Sequence, residues 1–176
     1  MSPQRNSPAK GFSLKTLVML ALLVALAVIF KRFLGYNDKV LSLSFGFVPI
    51  AMAGMLFGPM GGLIAGALAD VVGALLFPFG AFNPLFTLVQ ASTGLIYGFF
   101  LHPQGTTKQR IALAQLCVSV LLYMLANTLI RVPRVGQGCM ALLPLRALKI
   151  LLFFPVEVFV LIKMVEYRRA FEGFTK

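Results

Sequence analysis

The chain has 176 residues, 59% of them hydrophobic and only 12% charged, with sixteen basic side chains against five acidic ones. Soluble domains carry about one charged residue in four, so this composition excludes an aqueous surface over most of the protein and leaves lipid as its solvent. A net charge of +11 would suggest nucleic acid in a soluble chain, but the cations here lie between apolar blocks and at the two ends, which suits anionic headgroups and excludes a nucleic-acid partner.

Residues 1–13 (MSPQRNSPAKGFS) are polar and basic, contain no acid, and read as a short cytoplasmic N-terminal tail. The apolar run from Leu17 to Phe30 leads into Lys31-Arg32 and then into more membrane sequence, so it reads as a first transmembrane helix rather than a signal peptide. In all, six apolar blocks follow the tail, at 14–34, 45–57, 60–77, 84–101, 111–130 and 142–165. A span takes about 20 apolar residues; the second block is shorter, is bracketed by Pro49 and Pro59, and is expected to be an incomplete or tilted crossing. The fold class predicted is an all-α integral membrane protein, a six-transmembrane-helix bundle over residues 14–167, with a cytoplasmic C-terminal tail over 168–176.

An even number of spans puts both termini on one side. With the termini inside, nine of the sixteen basic residues are internal, leaving Lys31, Arg32, Lys39, Arg131, Arg134, Arg146 and Lys149 outside, and the positive-inside rule favours that arrangement by a thin margin. The outer seven either attract an anionic solute or anchor the protein to lipid phosphates.

The third block, GGLIAGALADVVGALLF, places Gly62, Gly66, Ala69 and Gly73 on one helical face, and Gly94 and Gly98 repeat the spacing in the fourth. Small residues at such spacing let membrane helices pack backbone to backbone. Asp70 flanks the glycine face. A lipid-facing carboxylate at mid-membrane depth costs about 2.5–3.5 kcal/mol, so Asp70 is expected to face protein and to have a partner.

Between the third and fourth blocks runs FPFGAFNPLFTLVQ, apolar, uncharged and rich in phenylalanine. A solvated linker would not have this composition. It reads as a lid over a pocket for a flat ring, with Phe79, Phe82 and Phe86 supplying aromatic surface and Asn83 and Gln90 hydrogen-bonding a heterocycle; interfacial anchoring is the competing account. The external loops are thus expected to cap a ligand pocket.

Cys117 and Cys139 flank one hydrophobic block with no His or Cys cluster around them, and His102, the one histidine of the chain, reads as a solvated loop residue in the sequence His-Pro-Gln-Gly. No metal site is expected from so few ligands, and no cofactor.

In the sixth block, ALLPLRALKILLFFPVEVFVL, Pro144 suits a helix start, Arg146 falls in the first turn and Lys149 one turn later. Two cations converging on a protected cavity suit a carboxylate ligand, which Arg grips bidentately; snorkelling to headgroups is the alternative and explains Arg146 more easily than Lys149. Glu157 lies eleven residues beyond Arg146, about 16 Å along the helix, and so at a deeper level. No phosphate-binding GxxxxGK[ST] loop or nucleophile–base constellation is present, so the chain does not read as an enzyme, and active transport would draw its energy from another chain or an ion gradient.

Three stretches, SLSFGFVPIAMAGMLFGPMGGLIAGALADVVGALLFPFG (42–80), FNPLFTLVQASTGLIYGFFL (82–101), and ANTLIRVP (126–133) with ALLPLRALKILLFFPVEVFVL (141–161), resemble the substrate-binding S component of energy-coupling factor (ECF) transporters, specifically the folate-type family. The resemblance implies a cell-membrane subunit that captures a vitamin from outside, with a membrane coupling subunit and two cytoplasmic ATPase subunits as partners. It also implies reorientation of the whole subunit as the transport step. An Ala-x-x-x-Ala pattern that contacts the coupling subunit matches Ala21 and Ala25. For folate, a planar pterin with a glutamate tail, the resemblance implies a site using Arg131, Arg146 and Lys149 for the tail, with Phe82, Asn83, Phe86, Gln90 and Asn127 also in contact. Two features depart from the family pattern: Leu129, where a Trp is expected, follows Asn127-Thr128, and RVPRVGQGC (131–139) is unusually basic. A pyrimidine- or pyridoxine-type vitamin is the alternative solute, and a membrane scaffold without transport the alternative function.

Overall fold

Apolar segments without water must close their backbone hydrogen bonds internally, and helices are the result. The computed structural model describes residues 14–33, 36–37, 42–43, 45–77, 83–102, 106–120, 122 and 143–167. Its elements are α1 (Leu14–Arg32), β1 (Tyr36–Asn37), β2 (Ser42–Leu43), α2 (Phe47–Leu76), α3 (Pro84–Leu101), α4 (Lys108–Cys117) and α5 (Leu143–Glu166). The two-residue strands pair antiparallel, Tyr36 opposite Leu43, a small hairpin that the hydropathy pattern does not signal. Among the described residues, α1, α2 and α3 are long and apolar enough to cross a membrane.

The 30 residues of α2 are not one straight rod. Gly58 has φ 77° and ψ −172°, a conformation open essentially to glycine alone, and Pro59 follows it. The break divides α2 into limbs 47–57 and 59–76, which correspond to the second and third apolar blocks. The first limb rises only about 16 Å, too little for a full crossing, as its length in the sequence implies. Proline is well placed here: opening the second limb, it gives up an amide hydrogen that the helix start does not use.

His102 lies beside this break and is not merely solvated. It is exposed at the end of α3, yet its Nδ1 is 3.1 Å from the Met55 carbonyl oxygen. The sequence hides this because the two residues are 47 positions apart.

The most extensive interface joins α2 to α3. A Cβ added to Gly62 would collide with the Gly94 carbonyl, one on Gly94 with the Gly62 carbonyl, and one on Gly66 with the Gln90 carbonyl. Gly54 and Gly98 continue the seam: a Cβ on Gly54 would lie 2.7 Å from the Gly98 nitrogen, and one on Gly98 2.5 Å from Pro59 Cα. Hydrophobicity cannot drive association between helices already in lipid, so this close approach supplies the packing. Gly73, on the same predicted face, is spaced differently: nothing lies nearer than 3.9 Å to its would-be Cβ.

Two core clusters flank the seam. One gathers Leu23, Val24, Ala27 and Val28 of α1 with Ile50, Ala53, Ala65 and Ala69 of α2. The other joins Phe47, Ala51 and Met55 of α2 to Tyr97 and Leu101 of α3, Ile111, Ala114 and Val118 in and just beyond α4, and Leu161 and Met164 of α5. The outer faces stay apolar, with Leu14 78% and Leu75 77% exposed, a surface suited to acyl chains. Gly62→Val should therefore lower the melting temperature of the detergent-solubilised protein markedly, because overpacking costs about 1–3 kcal/mol. Gly73→Ala should be tolerated. Equal loss in both variants would mean that the seam is not the close contact described.

Candidate functional site

Asp70 has the partners its position demands. Lys31 Nζ donates to Asp70 Oδ1 at 2.7 Å, and Thr87 Oγ1 donates to Oδ2 at 2.9 Å, so one carboxylate ties α1, α2 and α3 together. The neighbouring Arg32 reaches over the open side of Gly73: its Nη2 donates to the Gly73 carbonyl at 2.7 Å and its guanidinium lies 5.7 Å from the centroid of the Phe77 ring. Phe77 in turn meets Phe33 edge-on, centroids 6.0 Å apart. Lys31 and Arg32, counted in the sequence among seven outer cations of undecided purpose, thus make specific contacts with α2.

A second polar group lies at the opposite end of α3. The Tyr97 hydroxyl donates to Gln115 Oε1 at 2.6 Å, which fixes the amide so that its nitrogen donates to Ser119 Oγ at 3.2 Å and to Glu157 Oε2. Tyr97 and Gln115 are wholly buried. Sequence reasoning placed Glu157 at depth but missed Tyr97, Gln115 and Ser119. Gln115, a polar amide among the apolar residues that open the fifth block, is the signal that could have found them.

Of the residues proposed for ligand contact, Asn83, Phe86 and Gln90 are described with their side chains. Asn83 caps α3, its Oδ1 accepting from the Leu85 amide at 3.1 Å, with Pro84 opening the helix. Phe86 and Gln90, four residues apart, share a face of α3, and both are partly buried. Arg146 and Lys149 occupy α5 at a three-residue interval near its start at Leu143, as Pro144 predicts. Phe79, Phe82, Asn127 and Arg131 lie outside the described residues. A shallow depression of about 400 Å³ between α2 and α3 is lined by Ala67, Val71, Pro84, Thr87, Leu88 and Ala91. Neither Asn83, Phe86 nor Gln90 lines it, so it is not the lidded pocket anticipated. Ala21 and Ala25 are both exposed on α1, on the side turned away from buried Leu20, Leu23, Val24 and Ala27.

Against this geometry, residues 11–152 match the family profile of the ECF-type riboflavin transporter, S component. The chain belongs to the ECF transporter S-component family. S components are membrane subunits of transporters, not enzymes. This one is 34% identical over 145 residues to the folate transporter FolT of Clostridium novyi (strain NT), covering 82% of this chain and 84% of that protein. It is 31% identical over 152 residues to FolT of Leuconostoc mesenteroides, covering 80% and 79% respectively. Among solved structures it superimposes on FolT bound with folic acid with a TM-score of 0.79 at 38% identity, covering 84% of this chain and 89% of that one. The family profile thus carries the name of riboflavin, whereas these two relatives and the solved structure are folate transporters by name.

The S component's ion pair can be tested without ligand. Asp70→Asn should destabilise the solubilised protein by about 2 kcal/mol, since a charged hydrogen-bond partner of Lys31 is lost. Lys31→Met combined with Asp70→Leu should recover much of that loss. Additive losses in the double variant would mean that the two side chains are not coupled.

Proposed function

We propose that this S component captures folate from the outer side of the membrane and delivers it by reorienting on a membrane coupling subunit driven by two separate cytoplasmic ATPases. The observation that carries the reading is the likeness, over most of both chains, to FolT in its folic-acid complex. The chemistry agrees. Folate presents a flat pterin and two carboxylates, and the chain offers Arg146 and Lys149 one turn apart near the start of α5, with Arg131 before them in sequence. Phe82, Phe86, Asn83, Gln90 and Asn127 are assigned to the ring and its polar edge, with Asn83 also serving as the α3 cap.

In this reading the six apolar blocks make six membrane helices, the two limbs of α2 counting separately and the first of them crossing incompletely, with residues 1–13 and 168–176 cytoplasmic and loops capping the pocket outside. The ends of the helices sort accordingly. Lys31, Arg32, Asp70 and Thr87 gather at one level, and Gly58 and His102 meet at the other. The exposed Ala21–Ala25 face of α1 is the surface assigned to the coupling subunit, its small side chains admitting a close helix contact.

Riboflavin is the second reading, because the family profile carries its name. Its sugar-alcohol tail is uncharged, so it gives the cations of α5 nothing to neutralise. Purified protein should bind folate, excess riboflavin should fail to displace it, and Arg146→Ala should weaken folate binding about tenfold or more, the equivalent of one charge-assisted hydrogen bond. Unchanged affinity in that variant would remove Arg146 from the site, and displacement by riboflavin would favour the second reading.

A further inference from the structure

The break in α2 leaves a hydrogen-bonding vacancy that His102 fills. In an unbroken helix the Met55 carbonyl would accept the amide hydrogen of residue 59, and residue 59 is proline. A carbonyl without a donor is costly away from water. The His102 imidazole lies where the missing donor is needed, Nδ1 3.1 Å from the Met55 oxygen, and the edge of its ring packs against Gly58, with Cδ2 3.6 Å from that residue's would-be Cβ. Gly98, on the same end of α3, is pressed against Pro59 so closely that a Cβ there would fall 2.5 Å from Pro59 Cα.

We propose that His102 is a positioning residue that fastens the break in α2, its Nδ1–H replacing the hydrogen Pro59 lacks, so that the two limbs of α2 and the end of α3 move as one piece during delivery of the vitamin. Met55 belongs to the cluster shared with α3, α4 and α5, while Ala65 and Ala69 of the second limb pack with Ile50 and Ala53 of the first in the cluster shared with α1. A loose joint at Gly58 would let the break in α2 shift against the end of α3, and motion of the whole subunit would reach the vitamin site less directly.

Because His102 is the one histidine in the chain, its ring nitrogens give a single, unambiguous nitrogen NMR signature. In the neutral ring, Nδ1 must carry the hydrogen and Nε2 must be bare, opposite to the tautomer that free histidine prefers. The functional arm rests on the transport reading and compares folate binding by the purified subunit with uptake into vesicles holding the complete transporter. His102→Ala should leave affinity unchanged and slow uptake about fivefold, whereas His102→Asn, whose amide nitrogen occupies nearly the place of Nδ1, should restore uptake to within about twofold. A protonated Nε2 with bare Nδ1, normal uptake by His102→Ala, loss of folate affinity in that variant, or failure of His102→Asn to rescue would each overturn the proposal. Failure of the wild-type protein to bind or move folate would instead count against the transport reading, and the tautomer would still decide the clamp.

Discussion

Everything in this bundle depends on how closely the backbones of α2 and α3 approach. Gly54, Gly62 and Gly66 on one helix and Gly94 and Gly98 on the other leave no room for a methyl group along most of the seam. In lipid, where apolar side chains gain little by leaving their surroundings, contact of this kind is the main source of association energy. It also fixes the register between the helices, and with it the height at which each polar side chain stands.

Two polar nodes follow from that register. At one end Thr87 of α3 comes level with Asp70 of α2, and Lys31 of α1 completes the carboxylate's partners. At the other end Tyr97 of α3 is placed to orient Gln115, whose amide serves Ser119 and Glu157 of α5. Each node satisfies a carboxylate that lipid would otherwise expel, and each ties together three helices. Asp70 and Glu157 are therefore holding elements of the framework.

Much of this was legible in the sequence. Spacing of small residues announced the α2–α3 seam, Pro144 announced the start of α5, and the cost of burying Asp70 required a partner. What the sequence withheld was pairwise and distant: that Lys31 rather than another cation would reach Asp70, that Gln115 would meet Glu157 42 residues away, and that His102 would answer for Pro59. Hydropathy reports which residues avoid water, not which side chains meet. The apolar lid was read from composition alone, and of its residues α3 retains Asn83, Phe86 and Gln90 on a face separate from the α2–α3 depression.

Membership in the S-component family and the likeness to FolT bound with folic acid give this framework its purpose. The seam holds α1, α2 and α3 as a platform, and the proposed vitamin site lies between that platform and the start of α5. The most direct measurement is mass spectrometry of the small molecules released when protein gently purified from vitamin-replete cells is denatured. The account predicts folate, close to one per chain. Riboflavin in its place, or no bound vitamin at all, would contradict it.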